Sequence, residues 1–145
     1  MIKNWEVYKK QERDAVFFDG YKYEDEGSSF YLLVFDSSYE TTYYKIFFPK
    51  QVECFRFFHL SNDWQKDEKL DDLVFESNTP VPCVPFFIRD DSDLIKEVKE
   101  IESYDARNKE YLHYIMGTEG MWIDIVSSVE PIITVQEERS DSWFV

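Results

Sequence analysis

The sequence predicts an α+β fold, with one antiparallel or mixed β-sheet and a single main helix packed on it, in one domain over residues 1–145. Three observations lead there. Runs of β-branched and aromatic residues recur at short spacing and stop at Pro, Gly or Asp-Ser. Only one segment carries clear helical periodicity, and no repeat, low-complexity tract or linker divides the chain.

The elements follow in order. A first strand is expected at 15–19, ahead of a break at Gly20. The run Phe30-Tyr-Leu-Leu-Val-Phe35 is strand-like and ends at Asp36-Ser37-Ser38. A second run, 42–48, stops at Pro49, which lacks the ladder N–H. Residues 52–58 carry large apolar groups on both faces and complete an expected antiparallel meander. Residues 61–79 read as a loop with one helical turn, and Pro80, Pro82 and Pro85 then enforce extended backbone before a short strand at 86–88.

The helix comes next. Asp90, Asp91, Ser92 and Asp93 supply N-cap candidates and put negative charge at the positive end of the helix dipole. Leu94, Ile95, Val98 and Ile101 share one face and predict the buried side, while Ser103 to Asn108 end the helix. Two strands, 110–116 and 121–126, frame Gly117-Thr-Glu-Gly120 as the strongest hairpin signal. Pro131 precedes a last strand at 132–135, and an acidic tail closes the chain.

Composition narrows function by exclusion. The chain has 145 residues, 30 Asp+Glu against 16 Lys+Arg, a net charge of -14, and 19% aromatic residues. Residues 31–59 are neutral, whereas residues 60–145 hold 20 acids and eight bases, so most of the negative field arises there. A phosphate backbone needs clustered Lys and Arg, and anionic membranes need them too, so neither nucleic acid nor membrane is the expected partner. Apolar runs such as 30–35 are too short to span a bilayer, and the first residues lack the apolar region of a secretory signal. Residence in the cytoplasm is therefore the expectation, with Cys54 and Cys83 reduced and structural.

No motif names a reaction. His59 and His113 are the two histidines, and either could partner Cys54 or Cys83 as a base, but no local pattern supports that. The Asp90, Asp91, Asp93 group lacks the glycine and terminal glutamate of a calcium loop and is better read as a cap. Two isolated cysteines and two isolated histidines give no zinc spacing, and four scattered glycines give no nucleotide loop. Neither a metal nor a cofactor is expected.

The candidates for contact with a partner are acids and aromatics. Asp63, Trp64, Asp67, Glu68, Asp71 and Asp72 form an acidic stretch with one large ring. Asp124 interrupts an apolar strand and shares a face with Trp122, next to His113 or Tyr114 across the hairpin. That pair is expected to be exposed, with Ile123 and Ile125 turned to the core. A wet outer sheet face with a half-buried Trp122 is the plainer alternative.

The segments Leu94-Ile-Lys-Glu-Val98, Tyr111-Leu-His-Tyr-Ile115 and Trp122-Ile-Asp-Ile-Val-Ser-Ser128, followed by Glu130-Pro131, resemble those of small bacterial immunity proteins encoded beside secreted toxins. The resemblance covers under a third of the chain. It implies binding to one cognate toxin, often a basic nuclease, with its active site or a nearby surface blocked. An acidic, aromatic surface suits such a partner, because charge speeds encounter and Tyr or Trp anchors slow release. The alternative class is a small enzyme or ligand-binding protein with a site in a sheet cleft, built around His113, Asp124 or a cysteine. An acidic adaptor or oligomeric structural protein is a third, and the sequence leaves the oligomeric state open.

Overall fold

The computed structural model describes residues 2–8, 15–36, 40–59, 86–101, 109–119 and 121–136. The chain forms two compact units, Met1–Glu6 with Glu53–Ser128 and Val7–Val52 with Val129–Val145. Each holds one antiparallel sheet, where the sequence predicts one in all.

The sheet of the second unit runs β2(Ala15–Glu24), β3(Gly27–Phe35), β4(Thr41–Phe48) and β9(Ile132–Gln136), hydrogen-bonded in that order. β2 continues through Gly20 instead of breaking there. A register shift between Phe18 and Gly20 marks a bulge, and glycine accepts its φ of 154° without a Cβ penalty. The β2–β3 turn is made by Asp25 and Glu26, both at positive φ (48° and 63°), so the chain bends as a two-residue hairpin without the usual Asn-Gly.

Glu24 anchors that turn. Its carboxylate accepts from Ser29 Oγ at 2.6 Å and pairs with Lys45 and Lys22. Burial alone would raise the Glu24 carboxyl, but these partners outweigh it and hold it below the usual carboxylate range. Gly27 beside it has no room for a side chain, because a Cβ there would run into the Phe48 carbonyl oxygen. Gly27→Ala must push β3 from β4, and a loss of about 1–3 kcal/mol is expected in chemical denaturation. A variant as stable as the parent would contradict this close approach.

One face of this sheet forms the core of the unit. Phe30, Leu32, Ile46 and Phe48 are fully buried, with Phe30 edge-on to Phe48 at 5.9 Å.

The other sheet runs β1(Ile2–Asn4), β6(Phe86–Arg89), β7(Leu112–Thr118), β8(Met121–Ser127) and β5(Cys54–His59), again in bonded order. β5 thus leaves the expected meander and pairs with β8, in register from Cys54↔Val126 to His59↔Met121. The place beside β4 that a meander would give it is taken by β9, paired from Tyr43↔Gln136 to Phe47↔Ile132. β7 and β8 form the expected hairpin, with Thr118 opposite Met121.

The helix α1(Asp93–Ile101) lies on this sheet. Leu94, Ile95 and Val98 pack with Tyr111 and Val126, and Cys54 sits half-buried against them. Ile101 departs from the expected buried face and is 86% exposed at the end of the described helix. On the opposite sheet face Ile123, Ile125 and Met116 are fully buried, and Trp5 stacks edge-on against Tyr114 at 5.0 Å. Both faces of β7 and β8 are therefore covered, which decides the environment of every polar group on them.

Candidate functional site

Register brings the chemistry-bearing residues of the first unit together on the helix-covered face. Arg56 of β5 lies opposite Asp124 of β8, and Ile115 and His113 of β7 lie opposite Asp124 and Val126. Ser92 reaches the same place from the helix. Its Oγ accepts the Ile95 N–H at 3.1 Å, which makes Ser92, among the four cap candidates, the residue that caps α1.

A continuous hydrogen-bond chain results. Asp124 Oδ1 accepts from His113 Nε2 at 2.6 Å and from Trp122 Nε1 at 3.3 Å, while Oδ2 accepts from Arg56 Nε at 3.0 Å. Ser92 Oγ lies 3.1 Å from His113 Nδ1. A carboxylate only accepts, so Nε2 carries the proton; in the neutral ring Nδ1 then accepts the Ser92 hydroxyl hydrogen. The chain links the start of α1 to the edge strand through His113 and Asp124.

Burial makes these bonds matter. Ser92, His113 and Asp124 are 6%, 5% and 3% exposed, whereas the Arg56 side chain is 40% exposed. Burial would raise the Asp124 carboxyl, but His113 and Arg56 reverse that and hold it below its ordinary value. The Arg56 guanidinium also lies over the Phe58 ring, 5.1 Å from its centroid.

This overturns the expected exposed pair. Asp124 and His113 are buried, and Trp122 is half-buried against Ile2, Phe87 and Ile115 with its N–H turned to Asp124. The plainer alternative held for Trp122 alone. Asp63, Trp64, Asp67, Glu68, Asp71 and Asp72 lie outside the described residues, as does Cys83.

Ser92, which the sequence offers only as a cap candidate, completes a serine–histidine–aspartate order. Its hydroxyl is enclosed and already accepts a helix N–H, and the carboxylate it is linked to is shared with a guanidinium. The arrangement as it stands orders four elements more directly than it presents a nucleophile to substrate. Cys54 does not join it. Cys54 and His113 flank Val126 on strands two apart, roughly 10 Å in backbone spacing, too far for a thiol–imidazole bond. Cys54 is a free thiol whose ionisation is pushed up, chiefly by burial. His59 ends β5 opposite Met121, five residues of β8 from the His113 register position at Val126.

Ser92→Ala should cost about 2 kcal/mol, since it removes both the helix cap and the Nδ1 partner. Thermal or urea melting with far-UV detection reads this, and an unchanged midpoint would contradict the double role.

Among the described residues, no group of three or more His, Cys, Asp and Glu is arranged to hold a metal ion, and no helix is long and apolar enough to cross a membrane. Comparison with protein-family models, with curated proteins and with solved structures finds no match to this chain.

Proposed function

We propose that this chain is a cytoplasmic inhibitor that binds a basic protein, a cognate toxin of nuclease type, and occludes its active or substrate-binding surface. The single observation that carries the reading is charge: a net -14 on 145 residues. The described surface adds detail. Asp90, Asp91, Asp93, Glu97 and Glu100 are exposed along α1 and its approach, against Lys96, the partly covered Lys99 and Arg89, which pairs with Asp91. Such a field speeds encounter with a basic surface and competes with nucleic acid for a phosphate-binding groove. The resemblance of the α1, β7 and β8 segments to immunity proteins points the same way.

The test is co-expression with the product of the adjoining gene. Co-purification at low salt, and protection of cells or nucleic acid from that product, are expected; failure of both would remove the paired-toxin reading.

A second reading, a small hydrolase, is favoured by one observation, the Ser92–His113–Asp124 chain. A fluorophosphonate probe separates the two. The inhibitor reading expects no labelling, whereas labelling that vanishes in Ser92→Ala would transfer the proposal to the enzyme class.

A further inference from the structure

The geometry points to Arg56 as the anchor of the partner interface, where its guanidinium takes a carboxylate set in the otherwise basic surface of the partner; this rests on the basic-partner reading above. Arg56 lies on β5 opposite Asp124, and Phe58 lies opposite Trp122, so all four share one face of the five-stranded sheet. The Arg56 side chain is 40% exposed and Phe58 is 41% exposed, beside the half-buried Trp122. Arginine and tryptophan are the residues that carry most binding energy when a partner excludes water from them.

The guanidinium is already held in place. Nε donates to Asp124 Oδ2 at 3.0 Å, and the central carbon lies over the Phe58 ring, 5.1 Å from its centroid. Asp124 is itself fixed by His113 and Trp122, which ties the arginine to the buried centre of the unit. An arginine ordered in this way loses little rotamer freedom on binding. Nε–H is one of five N–H donors on the side chain. Among the described residues nothing else bonds to or pairs with the guanidinium. Asp124 covers the Nε side, so the exposure lies at the Nη end. That end is a planar fork of N–H groups, which a carboxylate fills with two charge-assisted bonds.

Charge chooses the source of the carboxylate. A free anion or a nucleic acid approaches through the field of a chain at -14 and is repelled. A carboxylate carried on a basic protein is brought in by the same field. Asp124 already balances the Arg56 charge, so the second carboxylate is held by the fork and by the loss of water around Phe58 and Trp122. A desolvated pair of this kind acts on dissociation, while the exposed acids act on association.

The experiment uses the full chain, the product of the adjoining gene, and phenylglyoxal, which modifies the Nη groups of accessible arginines. Peptide mass spectrometry should show Arg56 modified in the free chain and protected in the complex. Arg56→Lys keeps a positive charge beside Asp124 and removes the fork. In stopped flow its complex should dissociate at least about tenfold faster, with association unchanged within about twofold. Protection needs no variant and decides the matter if Arg56→Lys unfolds. Parent-like dissociation of a folded Arg56→Lys, or equal reactivity of Arg56 in the complex and the free chain, would overturn the anchor and leave the inhibitor reading standing. Resistance of Arg56 to the reagent in the free chain would overturn it too, because the Nη end would then be covered. Protection of the free chain by inorganic phosphate would make the occupant a free anion and overturn the assignment to a partner's carboxylate. A parent that forms no complex at low salt removes both the anchor and the inhibitor reading.

Discussion

Asp124→Ala should destabilise the first unit by about 3–5 kcal/mol, the range for breaking a buried charged pair from one side. The carboxylate is the shared acceptor of His113, Trp122 and Arg56, and it is 3% exposed. Removing it takes the acceptor from the buried His113 N–H, while Arg56, being 40% exposed, turns to water. Asp124→Asn keeps the shape and one acceptor oxygen and should cost less. Acid titration gives a second readout. The Asp124 carboxyl is held below its unfolded value of about 3.9, so its contribution is present above that pH and is lost as pH falls through the folded value. Urea midpoints measured from pH 6 down to 2.5 should therefore fall more steeply for the parent than for Asp124→Asn. Parallel curves would show that the carboxylate is not held as described.

Phe30→Ala should cost about 3–5 kcal/mol in the second unit, at an unchanged denaturant slope. Phe30 is fully enclosed on the inner face of β3, edge-on to Phe48 and 5.3 Å from the Tyr21 ring. Ser28, two residues away on the same face, is too small to close the cavity. Phe17→Ala serves as the control: Phe17 meets Phe35 at 5.6 Å but is 38% exposed, so its loss should cost less than half as much. Equal costs would place Phe30 outside the core.

The same two residues show what the sequence could and could not convey. The strand around Phe30 was legible from its β-branched and aromatic run, as were the capped helix, the Gly-bounded hairpin and the last strand, because each rests on local periodicity and turn chemistry. Partner choice is not local. Nothing in residues 52–58 says that they pair with β8 and not β4, so two sheets read as one. Gly20 reads equally as a break or a bulge, and the Asp25-Glu26 turn lacks the glycine at a turn position that would mark it.

Asp124 had a signal that alternation concealed. Trp122 and Val126 on its face are as apolar as Ile123 and Ile125 on the other, the pattern of a central strand covered on both sides. A lone acid in such a strand must be paired, and His113 two strands' width from the edge was the available donor. Because Trp122 holds both that acid and the Ile2, Phe87 and Ile115 cluster, Trp122→Ala would disturb folding and is a poor probe of binding.

The inhibitor reading stands most directly on the salt dependence of association. Stopped-flow mixing of the full chain with the product of the adjoining gene, from about 20 mM to 500 mM salt, should show an association rate that falls by an order of magnitude or more while dissociation changes little. An association rate indifferent to salt, or no complex at the lowest salt, would contradict the account.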